Sequence, residues 1–238
     1  MATNYAKAYI WYTLMEAIKN PYGVAGLMGN LFAESSLNPL CFTGANTANF
    51  MDGEDYAARI NTGAYSKDQF AHDGIAFGLA QWQYYTRKEA LYDFAKNRGI
   101  GAIDVQVGFL LKELPAYKTV WNTLQTAKSV KEASDIVLEK YEKPSNQSDK
   151  IKELRAKYGE QYFQELYRQP STSSKFVTTT IDRVNIRSGN GKEYGIVSQI
   201  ANKGSRYPWI ATAENGWHAI KLAKSVAWVS GEFTEVIE

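Results

Sequence analysis

The stretch GVAGLMGNLFAESSLNP, residues 23–39, decides the fold of the N-terminal part of the chain. Its apolar side chains recur at the spacing of one helix face: Val24, Leu27, Met28 and Leu31. Glu34 follows Leu31 by three residues and so continues the same face. A carboxyl group beside apolar side chains loses hydration, which raises its pKa and suits it to general acid catalysis. The spacing also fits a half-exposed glutamate at a helix end.

Length and composition indicate a globular protein of two units. The chain has 238 residues, more than one domain usually needs, and 45% of them are hydrophobic. Its 16 Tyr, 10 Phe and 6 Trp exceed what packing usually requires, which is typical of surfaces that bind sugars, peptides or bases. A net charge of +2 is too small for a nucleic-acid binder, so no nucleic-acid partner is expected.

Cysteine and histidine usage argues against a disulfide framework and a metal centre. Cys41 is the only cysteine, and the only two histidines, His72 and His218, lack the spacing of a zinc site. We therefore expect no metal and no cofactor. The first twenty residues contain no unbroken apolar run, because Glu16 interrupts it, so neither a signal peptide nor a membrane span is expected.

A change in hydrophobic period predicts where one domain ends and the next begins. Residues 1–168 carry helical periodicity and are predicted to form a mainly helical domain. Residues 169–175 contain Pro170 and a Ser/Thr cluster without periodicity, which indicates a linker. Residues 176–238 alternate with a period of two between tight turns, and roughly six short strands predict a small all-β barrel.

Local signals place several helices within the first domain. The predicted helix faces are Ile10, Leu14 and Ile18; Val107, Leu110, Leu111 and Leu114; and Ile151, Leu154, Tyr158, Tyr162 and Leu166. Capping boxes at Thr86–Glu89 and Ser129–Glu132 predict two helix starts, and Gly99 is expected to close the first of these helices. Residues 41–73 are rich in Gly, Asn, Thr and Asp and are interpreted as loops or a small strand excursion with one short helix.

Two motifs carry a resemblance to known families. The run VAGLMGNLFAESSLNP, followed after a loop by FAHDGIAFGLAQWQYYTRKEAL at residues 70–91, resembles the phage tail-lysozyme family of the lysozyme-like superfamily. The C-terminal segments VNIRSGNGKEYGIVSQIANKG, NGWHAIKL and AWVSGEF resemble bacterial SH3 domains, which attach wall enzymes to peptidoglycan. Together they imply a multidomain protein with a mainly α, lysozyme-like (α+β) catalytic domain followed by an SH3-like barrel.

The resemblance implies cleavage of the β-1,4 bond between N-acetylmuramic acid and N-acetylglucosamine. Glu34 matches the catalytic glutamate of the family, and Asp73 is the first choice for a base or electrostatic partner. Asp52, Glu54 and Asp55 are held in reserve. A lytic transglycosylase, in which the C6 hydroxyl of the substrate replaces water and leaves an anhydro-muramic end, is the mechanistic alternative.

The resemblance also suggests binding residues, each with a structural alternative. The candidates for sugar contacts are Gly78, Gln81, Trp82 and Tyr141. A glycine turn with a packed tryptophan explains the first three, and Tyr141 with Glu142 also fits a buried core position. The candidates for wall peptide or cross-bridge contacts are Tyr194, Trp209, Trp217 and Trp228. Small barrels use tryptophans as core, so at most half of these are expected to touch a ligand.

The implied protein is an endolysin, a monomer that acts on the glycan strands of a Gram-positive wall. Without a signal peptide, it is expected to accumulate in the host cytoplasm and to leave through a holin-type pore. Two functions of other classes stay open. A thiol peptidase needs Cys41 close to His72, and a wall-binding or tail protein needs no catalysis at all.

Overall fold

The computed structural model describes residues 4–96, 98–168, 175–200, 202–213, 215–222 and 226–238. Helices fill the first part of the described chain. They are α1 (Asn4–Ile18), α2 (Pro21–Ser35), α3 (Gly53–Thr62), α4 (Lys67–His72), α5 (Tyr85–Ala95), α6 (Ile103–Glu113), α7 (Lys118–Thr126), α8 (Val130–Val137) and α9 (Asp149–Phe163). Two π-helical turns, Leu138–Glu142 and Gln164–Arg168, extend α8 and α9.

Helix α2 is the central helix of this part and packs against α8 and α9. It begins where Asn20 accepts a hydrogen bond from the backbone N–H of Tyr22 at 3.1 Å. Its predicted apolar face is fully buried, which confirms the helical interpretation of residues 23–35. The prediction is wrong for residues 36–39, because Ser36 adopts φ of 56° and ends the helix. A Cβ on Gly29 would lie 2.4 Å from the carbonyl oxygen of Arg155. Glycine at this position therefore lets α9 approach the backbone of α2.

The predicted buried face of α9 is wrong by one residue. Leu154 is 42% exposed, whereas Arg155 is only 7% exposed and points its guanidinium at α2. Hydrophobic periodicity misses this because an arginine with carboxylate and amide partners satisfies its charge inside the fold. The error matters, because Arg155 contacts the proposed catalytic glutamate.

The segment at residues 41–73 holds more regular structure than expected. Two helices, α3 and α4, replace the single short helix of the prediction, which is therefore wrong. Asp52 caps α3 through the backbone N–H of Asp55 at 2.9 Å, and Ser66 forms a capping box with Gln69 at the start of α4. The strand excursion exists as an antiparallel pair of β1 (Phe42–Thr43) and β2 (Ala76–Phe77).

Only one of the two predicted helix caps forms. The hydroxyl of Ser129 accepts from the N–H of Glu132 at 3.1 Å and starts α8, as predicted. The expected cap at Thr86 is wrong, because α5 already begins at Tyr85 and places Thr86 inside the helix. Helix α5 ends at Ala95, and Gly99 lies four residues later in a turn with φ of 86°.

The second part of the chain is all-β, which confirms the predicted class of fold. Its strands are β3 (Phe176–Thr179), β4 (Val184–Arg187), β5 (Ile196–Ile200), β6 (Arg206–Thr212), β7 (His218–Lys221), β8 (Val226–Val229) and β9 (Thr234–Ile237). They form one antiparallel sheet with the order β5-β4-β8-β7-β6-β3-β9, so the described residues of this second part hold seven strands rather than the predicted six. Of the predicted linker at residues 169–175, all but Lys175 lies outside the described residues.

The β unit packs directly on the helical unit. Strands β6 and β8 contact α1, and the buried side chains of Trp217 and Trp228 belong to the hydrophobic cluster of the helical unit. The ammonium of Lys221 lies 5.3 Å from the ring centre of Tyr12 on α1. The two units therefore share a core, which places the β unit against α1.

Candidate active site

Glu34 sits at the last turn of α2 and is held by an arginine. Its side chain is 20% exposed, and its Oε1 accepts a hydrogen bond from Nη2 of Arg155 at 2.5 Å. The same guanidinium donates from Nη1 to the side-chain oxygen of Asn30 at 3.2 Å. The amide of Asn30 in turn donates to Ser134 on α8, so three helices fix the arginine. Glu34 thus faces a cation and solvent rather than apolar side chains alone.

The two motifs of the resemblance meet beside this glutamate. Ser35 donates a hydrogen bond to the carbonyl oxygen of Leu79 at 2.9 Å, which ties the end of α2 to the GLAQW segment. The backbone N–H of Gly78 donates to the carbonyl of Cys41 at 2.8 Å. Burial and the charge of Glu34 raise the pKa of the Cys41 thiol. The ES and GLAQW motifs and Cys41 therefore form one continuous wall of the site.

A second carboxyl group, Glu142, lies within the electrostatic reach of Glu34. It occupies the end of the π-helical turn Leu138–Glu142, and no described residue forms a hydrogen bond with its buried Oε1. Burial and the negative charge of Glu34 raise the pKa of Glu142 to about 8, although Arg87 and Arg155 oppose the shift. Glu142 is therefore protonated at neutral pH, a feature that the predicted core position did not anticipate.

Arg87 and Glu113 form an ion pair that also acts electrostatically on Glu142. The guanidinium donates two hydrogen bonds to the Glu113 carboxylate, at 2.7 and 2.8 Å. Tyr141 and Trp82 donate to the same carboxylate at 2.5 and 3.1 Å. Burial opposes ionisation of Glu113, but the hydrogen bonds and the charge of Arg87 hold its pKa below the usual range.

These contacts assign structural positions to two of the predicted sugar-binding residues. Trp82 is fully buried and Tyr141 is 2% exposed, so neither ring presents a face to a ligand in this structure. Arg87 covers the ring of Tyr141 at 4.7 Å from its centre. The alternative interpretation of both residues, packed aromatics in the core, agrees with these observations.

Gln81 and Gly78 shape the turn of the GLAQW segment. The Gln81 amide donates to the carbonyls of Cys41 and Gly78, both at 3.0 Å, and its oxygen accepts from Thr43 at 2.8 Å. Those bonds hold Gln81 at φ of 46°, a conformation that non-glycine residues seldom adopt. Gly78 has φ of 80°, and a Cβ there would lie 2.5 Å from Gln106. Both residues therefore stabilise the conformation of the turn.

Asp73, the predicted second carboxylate, is buried in an ion pair with Lys88. Its Oδ1 accepts from the Lys88 ammonium at 2.5 Å and from the N–H of Ile75 at 2.8 Å, and its Oδ2 accepts from Tyr56 at 2.6 Å. The side chains of the pair are 2% and 0% exposed. These contacts favour a structural role, and the catalytic role of Asp73 stays a prediction. The reserve residues Asp52 and Asp55 cap α3 and its preceding loop.

The predicted wall-binding aromatics divide into buried and partly exposed side chains. Trp228 is fully buried, Trp217 is 9% exposed, and both pack in the core shared with the helical unit. Tyr194 bonds to Asp104 of α6, and burial with the charge of Asp104 raises the pKa of the tyrosine to about 12. Trp209 is partly exposed and donates to Thr212 at 3.1 Å. Tyr194 and Trp228 thus serve the contact between the units.

Among the concave surfaces outside the carboxylate cluster are two lined by exposed aromatic or basic side chains that could contact a ligand. A cavity of about 270 Å³ on the β unit is lined by Ile181, Arg183, Val184, Asn185, Arg187, Lys192, Trp217, Ser230 and Phe233. Its lining combines three cations with apolar side chains. Another, of about 330 Å³, lies between α4 and α5, where the ring of His72 stacks on that of Tyr85 with 5.4 Å between centres. The neighbouring Tyr84 is 62% exposed.

The contacts of Cys41 and His72 do not fit a thiol peptidase. The raised pKa of the Cys41 thiol is opposite to the shift that activates a nucleophilic cysteine. His72 engages Asp68 on its own helix and stacks on Tyr85. In the described part of the chain, no group of three His, Cys, Asp or Glu side chains is arranged to hold a metal ion. No described helix is long and apolar enough to cross a membrane.

Sequence reasoning missed the arginines of the site. Arg155 and Arg87 were not singled out, and Glu142 was noted only as part of a core position. A signal existed for Arg155. It lies on the same predicted helix face as Ile151 and Tyr158, where a helix that faces the core usually has an apolar residue. Its partner could not be read from the chain, because 121 positions separate it from Glu34.

Comparison with known proteins identifies a family for the helical unit. A family model described as phage tail lysozyme matches residues 6–166, which include the helical unit with Glu34, Glu142 and Arg155. The match ends before the first strand of the β unit. No curated protein matches the chain.

Proposed function

The chain belongs to the phage tail lysozyme family, a family of lysozyme-like enzymes that act on peptidoglycan, and from this premise we propose that it hydrolyses the glycan strand. The bond is the β-1,4 linkage between N-acetylmuramic acid and N-acetylglucosamine, and Glu34 is the general acid. The observation that carries this proposal is the position of Glu34 at the end of the buried helix α2, partly open to solvent and oriented by Arg155.

The chemistry needs a proton at the glycosidic oxygen. A sugar alkoxide is a poor leaving group, so the acid protonates that oxygen while the anomeric carbon gains oxocarbenium character. Glu34 delivers this proton, and Arg155 fixes the carboxyl group so that it faces the substrate. Water then adds to the anomeric carbon and yields a reducing muramic end.

Lytic transglycosylation is the second candidate reaction. One observation favours it: both oxygens of Asp73 are occupied by Lys88, Ile75 and Tyr56 within the fold. Without Asp73 as a base, the C6 hydroxyl of the substrate is an alternative to water as the attacking group. Both reactions begin with proton delivery from Glu34, so the products distinguish them.

The β unit is proposed to bind the Gram-positive wall as an SH3-like module. The support is its all-β architecture and the cavity that contains Arg183, Arg187 and Lys192 beside Phe233. Basic side chains beside an aromatic ring suit a wall peptide that carries carboxylates. Among the predicted aromatics, Trp217 lines this cavity, and Trp209 is partly exposed on β6.

The exposed rings of Tyr84 and Tyr85 are proposed to contact the glycan strand. They replace Trp82 in that role, because aromatic faces open to solvent can stack on pyranose rings. We further propose that the protein acts as a monomeric endolysin that accumulates in the host cytoplasm and reaches the wall through a holin-type pore.

A lysis assay on purified Gram-positive walls tests the function. Glu34→Gln is expected to abolish clearing, because the amide cannot donate a proton to the glycosidic oxygen. Glu165→Gln is the matched control, since Glu165 pairs with Lys7 at the surface and is 49% exposed. Clearing that survives iodoacetamide excludes the thiol peptidase. Full clearing by Glu34→Gln contradicts the proposal, and no clearing by the wild type supports the non-catalytic wall-binding alternative.

A further inference from the structure

Glu142 is a buried carboxyl group that the proposed mechanism has not used. It ends the π-helical turn that follows α8, and the next residue, Lys143, adopts φ of 51° and donates its N–H to the carbonyl of Leu138. This closed turn fixes the backbone of Glu142. No described residue forms a hydrogen bond with its Oε1. A buried polar atom without a partner is costly, so its retention calls for an explanation.

Four charged side chains from four helices surround Glu142. They are two cations and two carboxylates, so their charges cancel when Glu142 is neutral. Glu34 on α2 pairs with Arg155 on α9, and Glu113 on α6 pairs with Arg87 on α5. All four groups act electrostatically on Glu142. Two cations thus already neutralise two carboxylates, and an ionised Glu142 would add a fifth, uncompensated charge in a buried place.

The imbalance explains the protonation state of the group. Burial and the charge of Glu34 raise the pKa of Glu142 to about 8, so the carboxyl holds its proton at neutral pH. Glu34, in contrast, has the guanidinium of Arg155 against its Oε1. The site therefore contains one stored proton within the electrostatic reach of Glu34, which Arg155 holds.

We propose that Glu142 is the proton store of the site, and that its proton reaches the glycosidic oxygen through Glu34. Glu142 is on this account a positioning residue that acts through Glu34 and does not touch the substrate. The inference rests on the proposed function of Glu34 as the acid. It adds a named source for the proton that this acid delivers.

The proton transfers balance over one turnover. A proton passes from the Glu142 carboxyl to the Glu34 carboxylate, and from Glu34 to the glycosidic oxygen. The bond between that oxygen and the anomeric carbon breaks, and its electron pair stays on the oxygen as a hydroxyl group forms. Glu34, again a carboxylate, then faces the cationic anomeric carbon. When a water oxygen bonds to this carbon, the proton that the water releases passes to the Glu34 carboxylate and from there back to Glu142.

The dependence of the rate on pH tests this role. Wild-type activity is expected to fall above about pH 8, where the store empties. In Glu142→Gln the alkaline decline is expected to move to lower pH by about one unit or more, with a loss of about tenfold or more near pH 7.5. Activity near pH 5 should stay close to wild type, and Glu142→Asp should restore part of the neutral activity.

Two results would overturn the proposal, and one control variant shows whether a change in the pH profile is specific to Glu142. A Glu142→Gln profile with the same shape as wild type, whether at full or uniformly reduced height, means that Glu142 is structural. Glu139→Gln is the matched control on the same turn, because Glu139 pairs with Lys152 near the surface and should leave the profile unchanged. The other overturning outcome is the absence of any glutamate that titrates above about pH 7 in the wild type.

A titration of the wild-type protein still tests the proposal if the Glu142→Gln variant fails to fold. Carbon-13 NMR of labelled glutamate carboxyls should show one group in the wild type that titrates near pH 8. Its pKa should fall in Glu34→Gln, because the charge that raises it is gone. An active Glu34→Gln refutes the proposed function, whereas an inactive Glu34→Gln with an unchanged Glu142→Gln profile refutes only the proton store.

Discussion

At the scale of single residues, Asp73 and Glu142 are two carboxyl groups inside the fold whose surroundings differ in charge. Asp73 is compensated by Lys88, whose ammonium contacts its Oδ1. Among the described residues no cation forms an ion pair with Glu142, because the nearby Arg155 and Arg87 pair with other carboxylates. The first therefore serves as a buried ion pair, and the second retains a proton.

We predict that Asp73→Asn lowers stability far more than it lowers catalysis. Removal of one partner leaves the Lys88 ammonium buried without its counter-charge, which typically costs about 3–5 kcal/mol. Urea unfolding measures this loss, and adding Lys88→Met should recover part of it. Muropeptide release per folded molecule should stay close to wild type. A folded Asp73→Asn protein with a loss of about a hundredfold would instead support the predicted base.

We predict that Glu142→Gln makes the protein less sensitive to alkaline pH. The pKa of Glu142 rises from 4.5 to about 8 on folding, so the native state binds more protons than the unfolded state between these values. The contribution of Glu142 to wild-type stability therefore falls as the pH rises from about 4.5 to about 8. The amide variant lacks this term and should gain up to a few kcal/mol relative to wild type, since one pKa unit is about 1.4 kcal/mol.

Thermal unfolding at about pH 5 and about pH 9 measures that gain. The melting temperature of Glu142→Gln relative to wild type should be higher at the alkaline pH than at the acidic one. An equal difference at both pH values would show that Glu142 has the same proton occupancy in the folded and unfolded states.

At the scale of secondary-structure elements, helix starts depend on caps that form side-chain bonds. Ser129 accepts from the N–H of Glu132 at the start of α8, so Ser129→Ala should cost about 1 kcal/mol in urea unfolding. Thr86→Ala is the matched control, because Thr86 lies exposed inside α5 and makes no cap. Equal losses in the two variants would mean that the Ser129 hydrogen bond adds no stability.

The sequence was sufficient for α2, because its buried face follows the helical period without interruption over residues 24–31. It failed for the inner face of α9, since Arg155 is buried through partners on α2 that hydrophobic spacing cannot register. The cap at Thr86 failed for a related reason. The residues fit a capping box, but the chain already enters the helix at Tyr85.

At the scale of the candidate site, the sequence singled out Glu34 but not the residues that surround it. Glu34 was reached from spacing and resemblance, whereas the pairing of Arg87 with Glu113 arises between separate helices. Trp82 and Gln81 were expected to contact sugar, but the fold uses their polar atoms for Glu113 and Cys41. Residue type and motif membership could not distinguish side chains that line the surface of the site from side chains that are buried behind that surface.

At the scale of the whole molecule, the two units behave as one packed body. Trp228 of β8 lies in the same hydrophobic cluster as Tyr9 and Trp11 of α1. Such a shared core couples the unfolding of the units, although the family match covers only the helical one. The predicted division at residues 168–176 therefore stays a division of sequence pattern, with contact across it in the structure.

We predict one cooperative unfolding transition for the whole chain in calorimetry. Trp228→Ala should destabilise both units together by about 3–5 kcal/mol, because it leaves a cavity in the shared cluster. Trp209→Ala should cost less, since Trp209 is partly exposed on β6. Two well-separated transitions in the wild type would contradict the shared core.

The central claim is that Glu34 cleaves a glycosidic bond, and mass spectrometry of the muropeptides released from walls tests it most directly. The account predicts fragments with reducing muramic ends from wild-type protein and no fragments from Glu34→Gln. Anhydro-muramic ends would replace hydrolysis by transglycosylation and keep Glu34 as the acid. Free peptide ends with intact glycan strands, or reducing muramic ends from Glu34→Gln at the wild-type rate, would contradict the claim.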